Sequence, residues 1–345
     1  MKMKVWRDWN RLFLLLCLLL PGGWAWSAAE AAETRGKVTG GEAYAIPDWF
    51  KQSFLDIAED AEEAGAEGRH VMLFFHLDEC PYCSRMLRES FEPEDMKALI
   101  QQHFDVIDIN IKGDRQVAFD AETSLSEKEL SDKLRVRSTP AILFLDGDNQ
   151  LVVRLDGYRS ARRFRHVLDY VSSGAYKDGS LVDFMAGNQQ AGLYQLQPDP
   201  LFRATRDLSD EKGPLLVLFE DDRCEDCAEF HEKLLAREDI RAELAPYTVV
   251  RLDTGSDEPL VDVDGNRTTA GAWAGALKMT YRPGVVIFDQ GKEISRSESL
   301  LFPFHFKEMV RYVGGGFNRT MTRGEFSDQY REALLSSGVD IDLGE

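Results

Sequence analysis

The sequence predicts an α/β protein of two tandem domains, each a central mixed sheet flanked by helices. Three observations carry that expectation. Two vicinal cysteine pairs, Cys80-Pro81-Tyr82-Cys83 and Cys224-Glu225-Asp226-Cys227, each end an apolar run that reads as a buried strand. About sixty residues after each pair a proline opens another such run, Pro140 before Ala141-Ile142-Leu143-Phe144 and Pro283 before Gly284-Val285-Val286-Ile287-Phe288. Finally, Phe164-Arg165-His166-Val167-Leu168-Asp169-Tyr170-Val171-Ser172-Ser173-Gly174 overlies Phe306-Lys307-Glu308-Met309-Val310-Arg311-Tyr312-Val313-Gly314-Gly315-Gly316. Cysteines, prolines and closing segments all recur at a nearly constant spacing of about 143 residues, the mark of a duplication.

Taken in order, the chain opens on a leader. Lys2, Lys4, Arg7 and Arg11 precede a continuously apolar stretch over residues 12–20, then Pro21-Gly22-Gly23 and the small residues Ala25, Ser27, Ala28 and Ala29. This pattern predicts a signal peptide over residues 1–27, cleaved on export, and the apolar stretch is too short for a lasting membrane anchor. The first domain is expected over residues 44–186. Asp48-Trp49-Phe50 opens an amphipathic helix reaching Glu67, with Phe54, Ile57, Ala58 and Ala61 at helical spacing. Strands follow at 71–75 and 105–111, a helix at 127–134, and strands at 141–144 and 151–155. Residues 187–197, rich in Gln, Gly and Asn, read as a linker. The second domain, 198–335, repeats the order: a shorter helix from Pro200-Leu201-Phe202, strands at 215–219 and 248–253, a helix at 269–278, and strands from Pro283 and at 293–297. Near-continuous apolar strands such as Val71-Met72-Leu73-Phe74-Phe75 call for a sheet buried on both faces.

Composition narrows the function. At 345 residues with 43% apolar and 29% charged side chains, the chain can bury two cores. Its formal charge of −19 argues against nucleic acid and anionic membrane surfaces, which need basic patches. Five cysteines are present; Cys17 falls in the leader and the other four form the two pairs. An exported protein whose only cysteines are vicinal keeps them for reactivity, since a stabilising framework links distant segments.

The chemistry follows from placing Cys80 at a helix start. Unpaired N–H groups and the positive dipole end favour its thiolate, the attacking species in disulfide exchange. Cys83, one turn later, can resolve the mixed disulfide, and Pro81 suits the first helical position. Cys80 is thus the expected nucleophile and Cys83 the resolving thiol. Glu220, Asp221, Asp222, Glu225, Asp226 and Glu229 crowd Cys224 and Cys227, with Arg223 the only nearby cation in sequence, so a slower nucleophile is expected there. His231, four residues after Cys227, is read as a partly buried helix residue rather than a metal ligand, and His76, four before Cys80, as a polar strand end. No metal and no cofactor other than the redox-active disulfides is expected.

With these residues in view, the chain resembles the exported thioredoxin-like proteins of bacteria, specifically the SoxW-type branch. The likeness in the first domain rests on Trp49-Phe50, Cys80 to Cys83, Ile109-Asn110-Ile111-Lys112-Gly113-Asp114-Arg115, Thr139-Pro140 and Asp169-Tyr170-Val171-Ser172-Ser173-Gly174. In the second it rests on the segment from Val261 to Ala270 and on Arg282-Pro283. The resemblance implies cis peptides before Pro140 and Pro283, with Thr139 and Arg282 pairing through their backbones with a substrate segment. Ordinary thioredoxins carry a buried carboxylate six residues before the first cysteine and a Trp just before it; here those positions hold Phe74 and Glu79, or Leu218 and Arg223. The expected function is periplasmic thiol–disulfide exchange on protein substrates, with an upstream electron donor or acceptor. The rivals are a redox-inert binding or assembly module and a disulfide oxidase or isomerase of exported proteins.

Overall fold

The computed structural model describes residues 35–136, 138–188 and 191–344. The signal peptide expected over residues 1–27 lies outside the described residues. In the first half the elements run β1 (Val38–Thr39), α1 (Ile57–Ala66), β2 (His70–His76), α2 (Pro81–Met86), α3 (Glu94–His103), β3 (Phe104–Asn110), β4 (Gln116–Asp120), β5 (Thr123–Ser126), α4 (Glu127–Lys133), β6 (Ala141–Leu145), β7 (Leu151–Asp156), α5 (Ala161–Ser172) and α6 (Leu181–Asn188). The second half adds β8 (Leu215–Glu220), α7 (Cys227–Glu229), α8 (Glu238–Leu244), β9 (Thr248–Asp253), β10 (Pro259–Val261), β11 (Arg267–Thr269), α9 (Ala270–Ala276), β12 (Gly284–Asp289), β13 (Lys292–Ser297), α10 (Pro303–Gly314), α11 (Arg323–Ser336) and β14 (Ile341–Asp342).

Each half builds a four-stranded mixed sheet, β3-β2-β6-β7 and β9-β8-β12-β13. The central strand pairs parallel with the strand after the dithiol helix and antiparallel with the strand after the proline. Side-chain alternation splits the apolar run of β2 between two cores. Met72 and Phe74 join Phe91, Phe144 and Phe164 on one face, while Val71, Leu73 and Phe75 join Ile57, Ala61 and Ile107 on the other. β8 divides in the same way, Leu216 and Leu218 to one side and Leu215, Val217 and Phe219 to the other. Both closing helices end on a left-handed glycine, Gly174 at φ 74° and Gly316 at φ 72°, where a Cβ would be strained.

Three expectations need correction. The first helix begins at Ile57, not near Asp48, because Leu55 turns to φ 64° and Asp56 instead bridges to Ala118 and caps α1. Phe54, assigned to the buried face, is fully exposed at 103%. The counterpart helix from Pro200 is absent from the described residues, where an extended segment reaches an isolated bridge between Asp207 and Val261.

Additional elements fasten the halves together. β1 pairs parallel with β14, and Arg35 donates from both terminal guanidinium nitrogens to Glu332 of α11 at 2.6 Å. The same N-terminal segment then reaches the first dithiol turn, where the Glu42 N–H meets the Glu79 carbonyl at 3.3 Å and Arg88 pairs with Glu42 at 3.0 Å.

Candidate functional site

The first dithiol sits where β2 hands over to α2. Cys80 is the N-cap residue: its backbone is extended, its Sγ accepts the Cys83 N–H at 3.1 Å, and Pro81 occupies the first helical turn. Cys80 and Cys83 form a disulfide with Cα atoms 5.2 Å apart. Cys83 is fully buried and Cys80 is 5% exposed. The Thr139–Pro140 peptide is cis, and Thr139 Oγ1 stands 3.3 Å from Cys80 Sγ. A disulfide sulfur carries no proton, so the threonine hydroxyl is the donor in this contact. Below the helix, α2 continues as a π-helical turn over Leu87–Phe91, and Phe91 packs among Trp49, Phe50, Phe74 and Phe164.

His76 ends β2 as expected, but it is buried and partnered. Its Nδ1 lies 3.0 Å from the Tyr44 hydroxyl and its Nε2 3.5 Å from Asp108. Burial pushes the Asp108 carboxyl up, yet His76 and Arg115 outweigh it and hold that carboxyl below its ordinary value.

The second dithiol departs from the first. Cys224 and Cys227 also form a disulfide, with Cα atoms 5.5 Å apart. The N-cap of the short α7 is Asp226, however, so Cys224 lies ahead of the helix and lacks the helix-terminus position of Cys80. The pair is sealed, Cys224 at 1% and Cys227 at 0% exposure, with Tyr194 and Leu196 from the linker packed against it. The linker is held there by Leu193 and Tyr194, whose N–H groups both reach the Asp222 carbonyl, at 2.8 and 3.1 Å.

The acidic crowd around this pair is not left to Arg223. Arg162 of α5 lies 3.2 Å from Glu225, and the buried Arg163 lies 3.2 Å from Asp226. Arg282 meets Asp221 at 3.4 Å, and His231 Nε2 sits 2.7 Å from Glu220. Lys233 pairs with Glu229 at 3.0 Å, and Asp222 accepts the Gly192 N–H at 3.2 Å. Tyr281, just ahead of the cis Arg282–Pro283 peptide, donates its hydroxyl to Asp226 at 2.6 Å. Burial, with Asp226 beside it, drives the Tyr281 hydroxyl well above its ordinary range. The guanidinium groups of Arg159 and Arg163 both lie over its ring, 4.7 and 4.6 Å from the centre.

The first dithiol turn is engaged by the opposite half in turn. Tyr82 packs on Phe302 with ring centres 4.2 Å apart, and its oxygen accepts the Phe302 N–H at the start of α10. His305, one turn into α10, lies 3.5 Å from the same oxygen. Burial, aided by Arg331 and Arg323, lowers His305 to about 4. Each dithiol turn therefore abuts the N-terminal turn of a helix in the other domain, α10 for the first pair and α5 for the second.

A sequence model described as "Thioredoxin-like domain" matches residues 57–172 and again 201–314. The chain belongs to the thioredoxin-like domain family. Solved structures similar to it include a thioredoxin-fold protein from Helicobacter pylori, 22% identical, covering 40% of this chain and 97% of that one at a TM-score of 0.31. A thioredoxin from Thermus thermophilus is 29% identical over 33% of this chain and 82% of its own, TM-score 0.27. The oxidised DsbD C-terminal domain of Neisseria meningitidis is 16% identical over 34% and 88%, TM-score 0.25. No curated protein matches the chain.

Within this thioredoxin-like pair of domains, the fold brings Cys80, Cys83, Thr139 and Pro140 to one spot. Around Cys224 and Cys227 it places Tyr281 through Asp226, while Arg282 turns its guanidinium to Asp221 and Thr254. Tyr82, Arg159, Arg162, Arg163, Tyr194 and Phe302 escaped the sequence reading. The cluster Arg159-Ser160-Ala161-Arg162-Arg163 was the available signal for the arginines: three within five residues of an acidic chain, at the start of α5.

Proposed function

We propose that this protein is a periplasmic thiol–disulfide oxidoreductase of the SoxW type, acting on protein disulfides through Cys80 and Cys83, with Cys224 and Cys227 as a second redox centre. The carrying observation is the geometry at Cys80: a sulfur at a helix N-terminus, accepting the Cys83 N–H at 3.1 Å and facing the Thr139 hydroxyl at 3.3 Å. All three features favour a thiolate once the disulfide is reduced.

In the reducing direction, the Cys80 thiolate attacks one sulfur of a substrate disulfide. A Cys80–substrate bond forms as the substrate S–S bond breaks, and the first substrate sulfur leaves as a thiolate. Cys83 then loses its proton and attacks Cys80, forming the intramolecular disulfide and releasing the second substrate sulfur. Two electrons and two protons pass from the dithiol to the substrate, and an upstream dithiol donor must restore them. Oxidation of an exported dithiol is the same sequence reversed. Thr139 and Pro140, and by analogy Arg282 and Pro283, are the proposed places where substrate backbone docks.

The sealed state of Cys224 favours a second reading for the second domain, that of a redox-inert binding module. Turnover of a protein disulfide under excess dithiothreitol separates the readings. We expect activity in the intact chain, its loss in Cys80→Ser, and a partial loss in Cys224→Ser; unchanged turnover in Cys80→Ser would overturn the oxidoreductase assignment.

A further inference from the structure

The second dithiol is completed by a residue its own domain does not contain. Asp226 stands between the two cysteines in sequence, is 8% exposed, and holds the N-cap position of α7 next to Cys227. A carboxylate there opposes thiolate formation by like-charge repulsion that burial leaves largely unscreened. Its counter-charge is Arg163, which is 2% exposed and reaches Asp226 from the first turn of α5 at 3.2 Å. Arg163 is itself fixed: its guanidinium lies over the Tyr281 ring, and Tyr281 donates to the same Asp226 oxygen that faces Arg163. Arg163 also comes within 3.9 Å of Glu225, but Glu225 has a nearer partner in Arg162 and the other carboxylates have partners of their own, so Arg163 answers chiefly for Asp226.

We propose that Arg163, supplied by the first domain, is a positioning residue for the Cys224–Cys227 centre, holding Asp226 in a compensated pair so that its charge does not suppress the reactive thiolate. The redox character of one domain is then set in part by the other. This rests on reading Cys224 and Cys227 as a reducible pair. Reduction of their S–S bond takes two electrons and two protons, which dithiothreitol supplies as it closes to its cyclic disulfide.

The test uses the full chain with Cys80 and Cys83 changed to serine, so that only the second pair reports. After reduction, iodoacetamide alkylation is followed from pH 5 to 10 by mass spectrometry. In Arg163→Met the thiolate fraction at neutral pH should fall about tenfold, as expected for an uncompensated buried neighbour. Arg163→Lys should recover most of the loss, and Arg163→Met with Asp226→Asn should return close to the parent. Asp226→Asn alone leaves Arg163 unopposed and should raise the thiolate fraction, which keeps the proposal testable if Arg163→Met does not fold. Equal alkylation profiles for the parent and Arg163→Met, or a decrease in Asp226→Asn, would overturn the positioning role while leaving the redox reading intact. A pair that dithiothreitol never reduces would overturn both.

Discussion

At the scale of single residues, the thiolate proposed at Cys80 would draw on Thr139. Its hydroxyl is placed to donate to the sulfur, and a hydrogen bond to a charged acceptor is worth about 1.5–3 kcal/mol. Thr139→Val keeps the shape and removes the donor, so alkylation of reduced Cys80 near neutral pH should slow about tenfold. Core residues behave differently. Phe164 is fully buried against Phe91 and Phe144, and Phe164→Ala should cost about 3–5 kcal/mol in urea unfolding, the usual range for deleting a buried aromatic ring. The cysteines, the prolines and the apolar strands were legible because each signals through its own identity or its immediate neighbours. Arg163 was not: the arginine cluster around it marks a basic spot but not its partner, and its meaning comes from Asp226, more than sixty residues away. Phe54 misled for the opposite reason. Its spacing to Ile57 and Ala61 suits a helix, but Leu55 leaves the helical region before the helix begins.

At the scale of elements, boundaries follow capping chemistry more closely than apolar spacing. The helix α4 starts at Glu127 because Ser126 and Glu129 form a reciprocal capping box, and Ser126→Ala should remove about 1 kcal/mol of stability. Both closing helices stop where glycine takes a left-handed conformation. No neighbouring atom lies within 4 Å of a Cβ added at Gly174, so Gly174→Ala isolates the backbone cost, about 1–2 kcal/mol by thermal or urea unfolding. The hairpins β4–β5 and β10–β11 went unread. They are strands of three to five residues, too short to show a clear alternation, and their pairing defines them. The missing helix near Pro200 shows how far a duplicated fold can drift: Asp56↔Ala118 and Asp207↔Val261 keep the same bridge, while only the first copy keeps the helix beside it.

At the scale of the whole molecule, the contact between Tyr82 and α10 carries a pH dependence. His305 is held at about 4, below the ordinary histidine value near 6.5. The unfolded chain therefore binds a proton that the folded chain refuses across that interval. The contribution is present above about pH 6.5 and is lost as pH falls toward 4. Stability should accordingly decline on acidification from pH 6.5 to 4, and His305→Gln should remove about 2 kcal/mol of that decline; a decline of equal size in both proteins would show that other groups are responsible. The duplicated plan of the molecule was legible from its repeated landmarks. The way the copies meet was not, because it depends on Tyr82 with Phe302 and Arg163 with Asp226, partners that share no motif.

That meeting also bears on how the protein rests between encounters. With Cys80 only 5% exposed and Cys83 buried, and the other pair beneath Tyr194 and Leu196, dissolved peroxide finds little sulfur surface to strike. Freshly reduced cysteines kept in such shelter would escape the irreversible oxidation that shortens the working life of an open thiol.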